Sequence, residues 1–370
     1  MPNYDIAGIK VKIESDYIHH FEALFKPYLT ALKHTYTIHQ THVSEIKALT
    51  DTPIMQAGNR YFFKKDGLNI LQVHHQSGQV KFQISHDDNH LNQHILFVEA
   101  LNQTKQDMVY ILLSMAFMEI ALKAGFLPLH ASSLLNQDEV ILFSAPSKTG
   151  KSTHVNYYLN TFPHMQNLND DKPLIKDGFV YGTPFSGKNM LNLNAKHKLK
   201  AVVFIHQGDT NTIHKLDEDK AINQILKNML RPSDETTWDH LIPIINQLLK
   251  QPLYEAYLKN EQQSIYITYQ GIYQEDTMKL KAGFTLKEIG SKTMVIPVGE
   301  KALNFNGVMT LNNSGKLLFE ALKTEQTIES LKALLMAQYD VAEDVALKDV
   351  ITFIETLKEK DVLWKPQMTS

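Results

Sequence analysis

Residues Ser144–Thr153 read SAPSKTGKST, and they follow Val140-Ile141-Leu142-Phe143, a short apolar run of the kind that forms a buried strand. From Ala145 to Ser152 the stretch meets the phosphate-loop template G-x-x-x-x-G-K-[ST] at every fixed position but the first, where alanine replaces glycine. That position serves a tight turn, and alanine fits it if the backbone there does not need a positive φ. The groups that touch phosphate are present: Gly150 lets successive N–H groups curl inward, Lys151 reaches the β and γ phosphates, and Ser152 ligates Mg²⁺ at the start of a helix predicted from Lys151 to Asn160. The expected ATP-binding positions are Ala145, Ser147, Lys148, Thr149, Gly150, Lys151, Ser152 and Thr153. Without its flanking strand and helix the same stretch would read as a lysine-rich turn.

Downstream, Leu168-Asn169-Asp170-Asp171-Lys172 falls where the chain should return to the same edge of the sheet. Two adjacent carboxylates there can divide the labour, one holding a metal while the other orients the proton of an attacking hydroxyl. In isolation an Asp-Asp pair is more often a solvated turn or a cap.

The surrounding chain is ordinary globular material: 370 residues, 43% hydrophobic and 21% charged, with room for two or three domains. A net charge of -3 argues against a general polyanion binder, so nucleic acid is not an expected partner. The count of 0 cysteines excludes a disulfide framework, a thiolate metal site and a cysteine nucleophile. The opening MPNYDIAGIKVKIESD lacks the order of a signal peptide, which makes the cytoplasm the expected location. Met108 to Gly125 is apolar nearly all round, but it is short for a membrane span and contains Glu119 and Lys123; a helix buried in a core is expected.

Three segments are expected. Residues 1–105 read as an α+β module, with Arg60–Lys64, Asn69–His75 and Gln79–Ser85 forming an antiparallel meander between glycine turns. At its end HDDNHLNQH crowds His86, Asp87, Asp88, His90 and His94; a helix would put His90 and His94 on one face, but no metal-ligand signature is met and a solvated loop leading into a helix reads as well. Residues 106–276 form a nucleotide-binding domain, with further strands at Ala201–His206 and Ile265–Tyr269 and helices from Asp217 and over His240–Lys250. Residues 277–370 segregate strands (Phe284–Ile289, Thr293–Pro297, Val308–Leu311) from three helices (Ser314–Leu322, Thr327–Tyr339, Val345–Lys360), which implies a small separate domain.

The order LHASSLL (129–135), FSAPSKTGKST (143–153), LNDDKPLI (168–175) and VYGTPFSGK (180–188) resembles the HPr kinase/phosphorylase superfamily, and most nearly its PqqD-associated branch. The resemblance implies a phosphoenolpyruvate-carboxykinase-like P-loop domain within an α/β and α+β chain, using ATP and Mg²⁺. It implies Asp170 as the base that orients the hydroxyl, Asp171 with Ser152 as metal ligands, and His130 as the residue that tunes the aspartate. The two aspartate roles are interchangeable at this stage. Lys188 and Arg231 are further candidates for stabilising charge in transfer. The glycine- and arginine-rich signature of the bifunctional HPr enzymes is missing, since Leu191 onward reads LNLNAKHKLKAVV; this counts against HPr as the substrate.

Met278 to Trp364, through KAGFTLKEIG, MVIPVG, LNNSG, TIESLKALLMAQYDV and DVITFIETLKEKDVL, resembles a PqqD-like domain of winged-helix type, the recognition element of ribosomal-peptide modifying systems. Such a domain can take an extended leader peptide on an open strand edge, here Val308, Met309, Thr310 and Leu311. Val345, Val350, Phe353, Ile354 and Leu357 of the last helix are apolar candidates for the same groove, or for the domain's own core. The function expected is an ATP-dependent kinase of a serine, or second a threonine, on a precursor peptide, in an enzyme that can self-associate. The alternatives are an HPr-type or small-molecule hydroxyl kinase, and a non-catalytic nucleotide-binding adaptor that presents a peptide to another enzyme.

Overall fold

The computed structural model describes residues 2–99, 105–187, 191–232, 234–299, 301 and 309–364. The chain divides into two compact units: Met1–Leu159, Met165–His206 and Lys215–Glu255 form the first, and Asn160–His164, Gln207–His214 and Ala256–Ser370 the second.

The first unit opens with a nine-stranded sheet. One edge is Leu29–Thr30, which pairs with the hairpin Asn3–Ile6 and Ile9–Ser15; Ile9–Ser15, Tyr36–Val43 and Asn92–Val98 then run parallel to one another. The expected meander follows as Val80–His86, Leu68–His74 and Arg60–Lys65, each antiparallel to the next. Helix Lys105–Lys123 covers the sheet, and its Val109, Leu112, Ala116 and Phe117 share one core with Val11, Ile38 and Phe97. Its apolar character on nearly all sides thus reflects burial in a core. No helix among the described residues is long and apolar enough to cross a membrane.

The histidine-rich stretch departs from expectation. Asn92–Val98 is a strand, because Gln93, Ile95 and Phe97 alternate inward with a period of two. His94 therefore stacks on His39 of the neighbouring strand, at 4.7 Å between centroids, while His90 sits in a turn at φ 57° and stacks on His86 at 3.8 Å. The histidines are thus split between two places.

A second sheet follows the path Leu127–Pro128, Leu174–Lys176, Phe179–Tyr181, Lys196–Gln207, Glu139–Ser144, Ala131–Asn136, Gln166–Asn167. Its two central strands, Lys196–Gln207 and Glu139–Ser144, are parallel, and both are buried on the two faces as near-continuous apolar runs. Helices Glu218–Asn228 and Glu235–Leu248 add Ile225 and Leu241 to the core of Leu142, Val202 and Phe204. Asp217 and Asp234 cap these helices by accepting from the N–H groups of Lys220 and Thr237.

In the second unit, the strand expected at Ile265–Tyr269 lies inside helix Ser264–Tyr273. Its isoleucines and tyrosines favour strands, but the segment is buried on almost every side and tertiary packing overrides propensity. Gly271 permits the closest approach: a Cβ there would come within 2.5 Å of Ile213 Cγ2. The C-terminal strands Phe284–Ile289, Lys292–Pro297 and Met309–Leu311 form a three-stranded antiparallel sheet in that order, so among the described residues Met309–Leu311 is an edge. Helices Asn313–Ala321, Ile328–Gln338 and Glu343–Glu359 complete the domain as expected.

Candidate functional site

The phosphate-loop candidate lies where the sheet gathers its polar residues. Strand Glu139–Ser144 ends at the loop, and its antiparallel partner begins at the same place, with Ala131 opposite Ser144. The segment from Gln166 returns beside that partner: Leu134 pairs with Asn167, Ser133 N–H donates to Asn169 O at 2.8 Å, and Ala131 N–H donates to Asp171 O at 3.2 Å. Register alone therefore brings His130, the Asp170-Asp171 pair and the first turn of helix Lys151–Thr161 to one end of the sheet.

Within the loop, positive φ is confined to Lys148 at 69° and Gly150 at 112°; Ala145 is not strained. The missing first glycine therefore costs no backbone strain, whereas Gly150 takes a conformation that L side chains avoid. Pro146, Ser147 and Lys148 are exposed, Ser152 is partly buried, and Lys151 is only 7% exposed.

Lys151 Nζ donates to Ala145 O at 3.0 Å and lies 3.1 Å from His130 Nε2. That imidazole nitrogen lies 3.2 Å from Asp171 Oδ1, and Lys172 Nζ donates to Asp171 Oδ2 at 2.7 Å. Burial pushes the Asp171 carboxyl up, but the hydrogen bond from His130 and the Lys172 ammonium overcome it and hold the group at about 2. Burial pulls the Lys151 ammonium below its usual range, opposed by Asp171 and Asp170. Asp170 is buried, and its Oδ1 accepts from Ser132 Oγ at 2.5 Å and from Asn167 Nδ2 at 3.4 Å.

The turn carrying the two carboxylates is built by Asn169, which is fully buried. Its Oδ1 accepts from the N–H groups of Asp171 at 3.0 Å and Lys172 at 2.7 Å, while Nδ2 donates to Thr183 O at 2.9 Å. Residues 180–187 run beside it, and Gly187, at φ 66°, lies so near that a Cβ would stand 3.0 Å from Asp171 Cβ. Lys188 and Val308 lie outside the described residues.

Arg231 is brought near but not into this cluster. Residues 128–130 pair with 228–230 through the Leu129–Met229 bridge and the His130 N–H to Asn228 O bond at 2.8 Å. The Arg231 guanidinium, however, is exposed and donates through Nε to Leu226 O at 2.9 Å, at the end of helix Glu218–Asn228.

Ser132, Asn167, Asn169 and Lys172 escaped the sequence reading. A signal existed: serines in the middle of a strand whose six residues are all buried need hydrogen-bond partners, and Ser132 and Ser133 find theirs at Asp170 and Asn169.

In the C-terminal domain, Met309 is buried, Thr310 exposed and Leu311 partly buried along the edge strand. On the last helix Val350, Ile354 and Leu357 are core residues; Val345 is exposed and Phe353 partly buried.

Residues 295–363 match the family described as Coenzyme PQQ synthesis protein D (PqqD), a span that takes in the end of strand Lys292–Pro297, strand Met309–Leu311 and all three helices. No curated protein matches the chain. Among solved structures, "TbiB1 in Complex with the TbiA(beta) Leader Peptide" is 16% identical, with a TM-score of 0.20, covering 25% of this chain and 98% of its own.

Proposed function

We propose that the chain is an ATP- and Mg²⁺-dependent kinase whose acceptor is a serine, or second a threonine, hydroxyl on a ribosomally made precursor peptide. The observation that carries this reading is the linkage of the loop lysine to the acidic pair, Lys151 to His130 to Asp171, at the end of the strand that feeds the loop. Phosphoryl transfer depends mainly on positioning and charge stabilisation, and these residues supply both.

The loop N–H groups and Lys151 bind the phosphates. Asp170, oriented by Ser132 and Asn167, accepts the acceptor's proton as the hydroxyl oxygen bonds to the γ phosphorus and the bond to the bridging oxygen breaks, leaving ADP. Asp171 is kept ionised by its neighbours and Ser152 offers a hydroxyl in the first helical turn, a hard-oxygen pair suited to Mg²⁺, which binds through one or two protein groups plus substrate phosphates. When bound, Mg²⁺ neutralises charge on the β and γ phosphates.

The PqqD match supports a peptide as the acceptor. In this reading a leader adds as a strand to the open edge Met309–Leu311, and tethering raises the effective concentration of the attached acceptor. The test is intact-mass analysis of a candidate precursor peptide incubated with Mg²⁺-ATP, with and without its leader, against Lys151→Ala. A leader-dependent gain of one phosphoryl group, absent in the variant, is expected. Binding of both ATP and leader without transfer would overturn the kinase reading.

A further inference from the structure

Away from the phosphate loop, the first unit holds a cavity of about 450 Å³ between helix Lys105–Lys123 and the meander, within the size range of small-ligand pockets. Its body is apolar, with Phe62, Phe63, Ile70, Leu71, Ile84 and Met115 on the wall. One part is polar and ionisable: Lys64 and Asp88 from the meander side, His86 and His90, Glu119 and Lys123 from the helix, and Asp234 from the segment before helix Glu235–Leu248.

The charges do not balance. Lys64 Nζ pairs with Asp88 Oδ1 at 3.1 Å and Lys123 Nζ with Asp234 Oδ1 at 3.4 Å. Glu119, partly buried on the helix, has no hydrogen bond or ion pair among the described residues. The histidines bring no compensating positive charge, because burial pulls His86 below its usual range and His90 down to about 4. They add acceptor capacity instead. His86 Nδ1 lies 2.8 Å from Asp87 O, which can only accept, so the proton sits on Nδ1 and Nε2 is left as an acceptor in the neutral ring. Gln93 Nε2 lies 3.3 Å from His90 Nδ1 and donates to Ala116 O at 2.9 Å, fixing that ring from the other side.

We propose that this cavity is a binding site for a small organic cation with an apolar or aromatic body, its ammonium paired with Glu119 and its body against Phe62, Leu71 and Ile84, which share one face of the sheet. A cation supplies the charge that the lining lacks, gives donors to an acceptor-rich end, and gains from the Phe62 ring. An anion would meet an unpaired carboxyl. The site is independent of the kinase reading, since none of its lining residues belongs to the phosphate loop or the Asp170-Asp171 turn.

Tryptamine and its near-isosteric anion indole-3-acetate form a matched pair of probes, titrated into the full-length protein with calorimetry and methyl-methionine NMR, Met115 being assigned by Met115→Leu. Saturable tryptamine binding that moves the Met115 methyl is expected, with indole-3-acetate at least tenfold weaker. Burial, with the Asp234 charge, raises Glu119 to about 7, so tryptamine affinity in the wild type should fall about tenfold per pH unit below that value. Glu119→Gln should weaken tryptamine at least tenfold while remaining folded by circular dichroism; Lys151→Ala should leave it unchanged. Equal binding of the two probes, a flat pH profile, full affinity in Glu119→Gln, or no saturable binding would each overturn the proposal.

Discussion

His130 Nε2 stands 3.1 Å from Lys151 Nζ and 3.2 Å from Asp171 Oδ1, between a cation and an anion. One ring nitrogen cannot accept from the ammonium and donate to the carboxylate at once, so the contacts are alternatives set by where the imidazole proton sits. With the proton on Nδ1 the ring holds Lys151; with it on Nε2 it serves Asp171. In the kinase reading, nucleotide phosphates draw Lys151 away from His130 and from Ala145 O, and the ring is then free to orient Asp171. His130→Ala should therefore reduce kcat about 10- to 100-fold while changing ATP affinity much less, as read by steady-state kinetics beside a fluorescent-nucleotide titration. A loss confined to ATP affinity would place His130 in nucleotide binding alone.

Asp170 is held by groups that cannot follow it if it changes. Ser132 lies in a strand, and its hydroxyl donates to Oδ1 at 2.5 Å. In the kinase reading Asp170→Asn removes the proton acceptor and should lower turnover by about 10²- to 10⁴-fold with nucleotide affinity kept within about twofold. Ser132→Ala leaves the carboxylate but loosens it, for a smaller loss of about tenfold. Turnover by Asp170→Asn within tenfold of the wild type would move the base role elsewhere.

The loop makes a paired prediction from backbone geometry. Gly150 sits at φ 112°, with no neighbour within 4 Å of where a Cβ would stand, so Gly150→Ala would be strained by conformation and not by collision. In the kinase reading it should weaken ATP at least tenfold. Ala145→Gly, at a position without positive φ, should leave ATP affinity within about twofold. Equal effects of the two changes in a calorimetric titration would contradict the geometry.

What the sequence made legible follows what its patterns encode. The strand-loop-helix order around Lys151 could be read because apolar runs and a glycine-lysine-serine sequence report local structure directly. The C-terminal domain was equally plain, because its short strand runs are segregated from three helical stretches. The departures had different causes. In Ser264–Tyr273 the deciding term was burial against distant residues, such as Ile213 against Gly271, which no local period records, whereas in Asn92–Val98 the period-two alternation of Gln93, Ile95 and Phe97 outweighs the histidine spacing. Ser132 and Asn169 were missed likewise, since their importance lies in partners more than thirty positions away or in a turn only the fold completes.

Glu355 offers a stability test within the second unit. It is 1% exposed, and it accepts from Lys358 Nζ at 2.8 Å, from His164 Nε2 at 2.8 Å and from the Tyr269 hydroxyl. Burial pushes its carboxyl up, but the Lys358 charge and these hydrogen bonds prevail and hold it at about 2. An unfolded glutamate titrates at about 4.3, so the folded value is the lower one. The stabilisation is then fully present above about pH 4.3 and is lost as pH falls towards 2, amounting to about 3 kcal/mol when complete. Glu355→Gln should lower the stability of this unit by about 2–3 kcal/mol at pH 7, leaving the partly buried Lys358 and His164 without this anion, and the deficit should shrink below about pH 4. The 2 tryptophans make the measurement local, because Trp238→Phe leaves Trp364, in the second unit, as the fluorescent reporter of urea unfolding. A Glu355→Gln protein as stable as its parent at pH 7, or a deficit that persists undiminished into acid, would mean that the cluster is held by packing and not by the carboxylate.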